Sequence, residues 1–247
     1  MAWTYLQLYL FGKRLTERRE LTTLRSLILP GMVIADIGAN AGFYTLEMAA
    51  CVGPTGRILA FEPDPFNFHL LQGRVKRAAA ANAEVYQLAL GDEAGQAMLY
   101  CSAYNRADNR LSQSHSEPHV EACEVQVRRL DEFLSQQGRS SIDALKIDVQ
   151  GSEARVLRGA QQTLNAGVRW IWIEFSPDHL RGSSSDPDRF LEHLGGLGMA
   201  MFEVNHQGAL EPVTNYREHS RKIGSGYGDI VVMSKEAVRL MSPAARA

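Results

Sequence analysis

One stretch predicts a strand, a tight turn and a helix in succession: Val33-Ile34-Ala35-Asp36-Ile37-Gly38-Ala39-Asn40-Ala41-Gly42-Phe43-Tyr44. Its first half is a short, β-branched apolar run, and the residues after it have small and apolar side chains at helical spacing. Gly38 and Gly42 can take a positive φ, and Asn40 belongs to the few other residue types that tolerate one. The turn can therefore lie close against a ligand.

The same strand-turn-helix unit recurs along the chain and predicts a parallel sheet with helices between its strands. The predicted strands are residues 32–37, 57–61, 84–90, 144–149, 168–175, 200–204 and 228–233. The predicted helices are residues 45–51, 65–81, 153–165 and 186–195. We predict an α/β fold with a doubly wound, seven-stranded, mostly parallel sheet, closed by the last strand. Its ligands should lie beyond the carboxyl ends of the strands.

Two segments stand outside this alternation. Residues 96–101 and 123–128 predict a small β-rich insertion around the polar loop 105–118, a candidate substrate lid. Residues 3–11 predict an amphipathic helix that either packs on the domain or serves as a lid or a homodimer contact. We predict a helical segment over residues 1–30, one catalytic domain over 31–235 and a tail over 236–247.

Composition and charge exclude several classes of protein. The 247 residues carry a net charge of −2, so no global positive field attracts nucleic acid or an anionic membrane. Three cysteines without CxxC spacing indicate neither a disulfide framework nor a zinc site. Residues 3–11 are too short to span a bilayer and lack the marks of a signal peptide. We predict a cytoplasmic enzyme whose partner is a small-molecule acceptor, with neither nucleic acid nor membrane.

The acid at the first strand's end selects among nucleotide cofactors. A dinucleotide fingerprint reads GxGxxG and presents a helix N-terminus to a pyrophosphate, whereas this turn reads GxNxG after Asp36. Asp36 would repel phosphate, but it suits the cationic S-adenosylmethionine. Glu62, at the end of the next strand, can accept both hydroxyl protons of a ribose. Residues 88–92, at the third strand's end, are expected to flank the adenine.

Taken together, these motifs resemble the FkbM-type methyltransferases over roughly residues 30 to 235. The motifs that carry the resemblance are residues 36–44, Phe61-Glu62-Pro63, residues 89–92, Leu130-Asp131 and Lys146-Ile147-Asp148-Val149-Gln150-Gly151-Ser152-Glu153. The resemblance implies a class I, Rossmann-like fold and methyl transfer from S-adenosylmethionine, usually to a hydroxyl oxygen of a small molecule, sugar or secondary metabolite. The predicted cofactor contacts are Asp36, Gly38, Ala39, Asn40, Gly42, Phe43, Tyr44, Glu62, Pro63, Ala89 and Leu90.

The predicted chemistry lies at two later strand ends. Lys146 and Asp148 alternate with an apolar residue and so share one face of a strand, and Glu174 ends the neighbouring strand. We predict these three residues as catalytic. Asp148 could act as a base, or Asp148 and Glu174 could bind Mg²⁺, as aspartates do at these strand ends in a similar group of sugar O-methyltransferases. Lys146 could equally form an ion pair that keeps a buried carboxylate charged. Glu153 either complements a helix dipole or has a functional role.

Three alternatives stay open from the sequence. An N-methyltransferase acting on an amide or amine would use the same cofactor site, because only the handling of the proton differs. A nicotinamide-dependent oxidoreductase is disfavoured by Asp36 and by the GxNxG spacing. A non-catalytic binding module would also keep the pocket.

Overall fold

The computed structural model describes residues 12–102, 109–111 and 120–241 of the 247-residue chain. The strands are β1 Val33–Ile37, β2 Arg57–Phe61, β3 Ala83–Tyr86, β4 Ala89–Leu90, β5 Gly95–Ser102, β6 Val120–Arg128, β7 Ala144–Ile147, β8 Trp170–Phe175, β9 Ala200–Val204, β10 Leu210–Pro212 and β11 Gly228–Met233. The helices are α1 Arg18–Leu27, α2 Phe43–Val52, α3 Pro65–Arg77, α4 Leu130–Gln136, α5 Glu153–Gly159, α6 Gln161–Ala166, α7 Pro177–Gly182, α8 Pro187–Gly195, α9 Tyr216–Ile223 and α10 Lys235–Leu240.

The main sheet confirms the predicted fold class, with one strand more than predicted. Its order is β10-β9-β11-β8-β7-β1-β2-β3, and the five strands from β8 to β3 are parallel. The eighth strand, β10, is a three-residue edge strand that pairs with β9, too short to show a pattern. The prediction that residues 228–233 close the sheet is wrong, because β11 lies antiparallel between β8 and β9.

The predicted third strand, 84–90, is two strands in different sheets. β3 ends at Tyr86 in the main sheet, and β4 joins β5 and β6 in a separate three-stranded sheet. This second sheet is the predicted β-rich insertion, with β5 and β6 antiparallel over their whole length. The proposed lid, 105–118, lies outside the described residues apart from 109–111, as do residues 3–11.

The predicted helix 153–165 is broken after Gly159 because a new N-terminus is capped there. The Asp131 carboxylate accepts hydrogen bonds from the backbone N–H groups of Gln162 and Thr163, both at 2.9 Å. An added Cβ at Gly159 would lie 1.9 Å from the carbonyl oxygen of Gly91, so α5 packs directly on the turn after β4. A side-chain cap of this kind satisfies the free N–H groups of the second helix, α6. The predicted helix 65–81 likewise ends early, at Arg77.

Helices cover both faces of the main sheet, so successive residues of its strands enter different cores. In β1, Ile34 packs in the cluster that holds Leu24 of α1 and Met48 of α2. Its neighbour Ala35 packs in the opposite cluster with Phe133 of α4. Because both faces are covered, the carboxyl edge of the parallel strands is the natural place for a cleft.

No helix in the described part of the chain is long and apolar enough to cross a membrane. The division of the chain at residues 30 and 235 stays a prediction. Helix α10 begins at Lys235, and Met241, just after it, is buried in the same cluster as Ile34.

Candidate functional site

An open cleft of about 790 Å³ lies where β1, β2, β4, β7 and β8 end. Six predicted cofactor residues line it, and so does the predicted catalytic pair Asp148 and Glu174; the six are Gly38, Asn40, Glu62, Pro63, Ala89 and Leu90. A smaller cavity beside it is lined by Gly38, Ala39, Asn40, Phe43, Tyr44, Lys146 and Asp148. The two cavities thus bring together strand ends that are more than a hundred residues apart in the chain.

The glycine turn has the predicted backbone but a different reason for its glycines. Gly38, Asn40 and Gly42 all have positive φ, at 81°, 50° and 78°. A Cβ at Gly38 would lie 1.8 Å from the carbonyl oxygen of Asp148, and one at Gly42 would lie 2.5 Å from a methyl carbon of Leu71. The close backbone contact therefore requires a glycine at position 38, whereas the contact at Gly42 is with the end of a side chain, and Gly42 lines neither cavity.

Glu62 ties the end of β2 to the glycine turn. Its Oε2 accepts a hydrogen bond from the backbone N–H of Asn40 at 2.7 Å, and its Oε1 accepts one from the backbone N–H of Asp64 at 2.9 Å. The side chain is 5% exposed, and burial raises the pKa of Glu62 to about 8. Each oxygen keeps a lone pair, so the carboxylate can still accept protons from hydroxyl groups of a ligand in the cleft.

Asp36 does not reach either cavity. It is fully buried, and its Oδ2 accepts a hydrogen bond from the Thr45 hydroxyl at 2.6 Å. Its Oδ1 lies 3.7 Å from Nζ of Lys146. Burial raises the pKa of Asp36, against the effect of Lys146. A direct contact between Asp36 and a cofactor does not fit this geometry; its oxygens support Lys146 and the first turn of α2.

Lys146, Asp148 and Glu174 lie together as their spacing predicts. Nζ of Lys146 lies 3.4 Å from Oδ2 of Asp148 and 4.7 Å from the centre of the Tyr44 ring. Although burial works to lower it, the charges of Asp148 and Asp36 hold the pKa of Lys146 above its ordinary value. Burial would raise the pKa of Asp148, but Lys146 keeps it below its ordinary value. The ion-pair interpretation of Lys146 therefore agrees with its contacts.

Sequence reasoning missed two residues beside the Asp148–Glu174 pair. The side-chain nitrogen of Gln150 donates to Oδ1 of Asp148 at 2.8 Å and to Oε2 of Glu174 at 2.6 Å. Asp229 of β11 stands in register beside Glu174 and accepts a hydrogen bond from Trp172 at 2.8 Å. Gln150 lies within residues 146–153, one of the motifs that carry the family resemblance. Asp229 gave no signal, because only the antiparallel pairing of β11 brings it here.

Asp148 and the two carboxyl groups near it differ in their pKa values. Burial, together with the charges of Asp148 and Asp229, raises the pKa of Glu174 to about 9. Burial also raises the pKa of Asp229 to about 7. Near neutral pH Asp148 is thus ionised and Glu174 carries a proton, whereas Asp229 is close to its own pKa. A pair of acids whose environments push their pKa values apart can divide the roles of proton acceptor and donor.

Glu153 has a structural role. Its Oε1 accepts a hydrogen bond from the backbone N–H of Gly151 at 3.0 Å, and burial raises its pKa to about 7. An added Cβ at Gly151 would lie 2.4 Å from the carbonyl oxygen of His179. These contacts hold the turn that carries Gln150, whose φ of 52° is positive.

A second cleft, whose lining does not include Glu62, adjoins the Asp148–Glu174 pair. Its lining includes Glu17, Glu20, Tyr44, Lys146, Trp172, Tyr227 and Asp229 as well as the pair itself. Across the residues that the structure describes, no group of three His, Cys, Asp or Glu side chains could hold a metal ion. The two predicted Mg²⁺ ligands lie close together, but they have the Gln150 amide between them.

Comparison with known proteins identifies the family. Residues 36–199 match the model described as "Methyltransferase FkbM domain". A 2-O-methyltransferase, NoeI of Sinorhizobium fredii, is 29% identical over 67% of this chain and 71% of its own length. The 31-O-demethyl-FK506 methyltransferase FkbM of Streptomyces tacrolimicus is 31% identical over 59% of this chain and 65% of its own.

The solved structures agree on the fold. Methyltransferase FkbM from Methylobacillus flagellatus covers 82% of this chain with a TM-score of 0.52 and 14% identity, and this chain covers 43% of that one. The precorrin-6y C5,15-methyltransferase of Geobacter metallireducens covers 89% with a TM-score of 0.50 and 14% identity. These likenesses confirm the predicted class I α/β fold. Since the family model matches well over half of its length, the chain belongs to the FkbM family of S-adenosylmethionine-dependent methyltransferases.

Proposed function

We propose that this chain transfers the methyl group of S-adenosylmethionine to a hydroxyl oxygen of a small molecule. One observation carries the proposal: a single cleft is lined both by Glu62 and by the Asp148–Glu174 pair. The first is a carboxylate able to accept hydroxyl protons of a ribose, and the second is a pair of acids suited to moving a proton. The cleft can therefore hold a nucleoside and an acceptor side by side.

The cofactor fits the donors and charges of the two cavities. Glu62 would hold the ribose hydroxyls, and Pro63, Ala89 and Leu90 would form the apolar surface against the adenine. The smaller cavity beside Ala39, Phe43 and Tyr44 would take the methionine part. A pyrophosphate would meet the ionised Asp148 as a like charge, whereas the sulfonium and ammonium groups are attracted by it. Asp36 contributes to this preference through Lys146 and not by contact.

The cofactor supplies an electrophilic methyl group, so the protein has to align the acceptor and remove a proton. Asp148 is the proposed proton acceptor, because Lys146 keeps it ionised while Glu174 stays protonated near neutral pH. Glu174 would donate a hydrogen bond to the acceptor molecule. Lys146 would act through Asp148 by holding its second oxygen at 3.4 Å.

The acceptor would enter through the second cleft, which shares Asp148 and Glu174 with the cofactor cleft. The names of two relatives, a 2-O-methyltransferase and a 31-O-demethyl-FK506 methyltransferase, support a hydroxyl oxygen over a nitrogen. We propose a cytoplasmic enzyme without a nucleic-acid partner. The net charge of −2 and the absence of a disulfide among Cys51, Cys101 and Cys123 support this. A homodimer through residues 3–11 stays a prediction.

Calorimetric titration with S-adenosylhomocysteine and with NAD tests the cofactor, and we expect binding of the first only. Methyl release from S-adenosylmethionine, measured over a library of hydroxylated and of amino-bearing metabolites, tests the acceptor. For any acceptor found, Asp148→Asn should lower kcat by about 100-fold or more, since a positioned base contributes that much. The affinity for S-adenosylhomocysteine should fall by less than kcat does, because this product lacks the sulfonium charge that Asp148 attracts. Tight NAD binding without a response to the nucleoside would overturn the proposal.

A further inference from the structure

The two carboxyl groups predicted to bind Mg²⁺ already share a donor. Nε2 of Gln150 lies 2.8 Å from Oδ1 of Asp148 and 2.6 Å from Oε2 of Glu174. These are the lengths of ordinary N–H···O hydrogen bonds, and a primary amide has two N–H groups to give. The amide nitrogen therefore stands between one oxygen of each acid, where a shared cation would have to stand.

The remaining donor set also fits a cation poorly. The second oxygen of Asp148 faces the ammonium of Lys146, so both of its oxygens have a positively polarised partner. A magnesium ion needs near-octahedral oxygen ligands at about 2.0–2.1 Å and is repelled by an ammonium group beside its ligand.

The position of the amide is built into the backbone. Gln150 has a φ of 52°, a conformation that side-chain-bearing residues rarely adopt, and Gly151 follows with a φ of 108°. Glu153 accepts the N–H of Gly151, and the Ser183 hydroxyl donates to the Gly151 carbonyl oxygen at 2.5 Å. A strained residue held by such contacts indicates that the surrounding structure determines where its side chain goes.

We propose that the Gln150 side-chain amide takes the place of a divalent cation between Asp148 and Glu174, so that this chain positions its two carboxyl groups without a metal. Gln150 is then a positioning residue for the methyl transfer proposed above, on which the inference rests. An amide holds the two acids together as a cation would, but it adds no charge. Asp148 can therefore accept a proton without first losing a ligand bond.

Manganese binding tests the inference without any acceptor. The wild-type protein is titrated with Mn²⁺ and followed by electron paramagnetic resonance. We expect a Kd for Mn²⁺ of about 1 mM or higher. Gln150→Glu removes the donor and adds a third carboxylate at nearly the same volume, so it should bind Mn²⁺ at least tenfold more tightly than wild type. Gln137→Glu, on the exposed surface after α4, is the matched control and should behave as wild type.

Two outcomes would overturn the inference. One is a wild-type Kd for Mn²⁺ below about 100 μM together with loss of this binding in Asp148→Asn, because the native pair would then be a metal site. The other is a folded Gln150→Glu protein with no gain in Mn²⁺ affinity. If Gln150→Glu does not fold, the wild-type and Asp148→Asn titrations still decide. S-adenosylhomocysteine binding by the wild type is measured in parallel, and its failure would remove the proposed function instead.

Discussion

Glu62 both stabilises the turn after β1 and lines the cleft proposed to bind the cofactor. Its two oxygens bind the backbone N–H groups of Asn40 and Asp64, and the same carboxylate faces the cleft. Ionised carboxylates accept strong hydrogen bonds, each contributing about 1.5–3 kcal/mol in a protein. Burial of this carboxyl group disfavours its charged form and raises its pKa to about 8.

Glu62→Gln should weaken S-adenosylhomocysteine binding by about 10- to 100-fold, because a neutral amide accepts hydroxyl protons less strongly and with one oxygen only. Calorimetry at pH 8.5 measures the change. The matched control is Glu124→Gln on the exposed side of β6, which should bind as the wild type does. Equal affinities for Glu62→Gln and wild type would remove Glu62 from the cofactor site.

At the scale of elements, the site depends on how closely two turns pack. The turn after β1 and the turn after β7 touch where Gly38 meets the Asp148 carbonyl, because β1 and β7 are parallel neighbours in the sheet. The turn proposed to hold the cofactor and the turn that carries Asp148 therefore support each other. A change in one is expected to displace the other.

Gly38→Ala should destabilise the protein far more than Gly53→Ala. Both glycines have positive φ, 81° and 68°, so each alanine carries a backbone strain of about 1–3 kcal/mol. Only at Gly38 would the added Cβ also overlap a carbonyl oxygen, at 1.8 Å, while the space at Gly53 is open. Overpacking costs about 1–3 kcal/mol more, so urea unfolding should separate the two variants clearly. Similar unfolding midpoints would show that the contact yields easily.

At the scale of the molecule, the fold concentrates buried acids at one edge of the sheet. Burial raises the pKa of Glu62 to about 8, of Glu153 to about 7, of Glu174 to about 9 and of Asp229 to about 7. Each of these groups binds a proton more readily in the folded than in the unfolded chain. Their contribution to stability is therefore complete below the ordinary pKa of a carboxyl group and is lost as the pH rises through 7 to 9.

We expect the midpoint of thermal unfolding to fall by several degrees between pH 6 and pH 9, since about 1 kcal/mol corresponds to roughly 2–4 °C in a protein of this size. Asp92 works in the opposite range: burial would raise its pKa, but Arg155 and Arg158 lower it to about 2, so its contribution is lost only in acid. Calorimetric scans of wild type and Asp229→Asn test this. The variant should show a smaller fall, and a midpoint that rises from pH 6 to pH 9 would contradict the assignment.

The family, the parallel core of the sheet and the strand ends that meet at the cleft could be predicted from the sequence. The reason is that Asp36, Glu62, Asp148 and Glu174 each follow a short, mainly apolar run, and the carboxyl ends of parallel strands meet at one edge. Local patterns of this kind depend on spacing along the chain and need no knowledge of which strands are neighbours.

Which of these side chains reach the cleft, and what they contact there, depends on the tertiary packing. Oδ1 of Asp36 lies beside Nζ of Lys146. Asp229 belongs to β11, an antiparallel strand that pairs with β8. The Gln150 amide donates hydrogen bonds to two acids from different strands. The physical reason is that burial and hydrogen bonding are set by neighbours distant in sequence. A residue's type and spacing leave those neighbours open, and the packing of the sheet selects them.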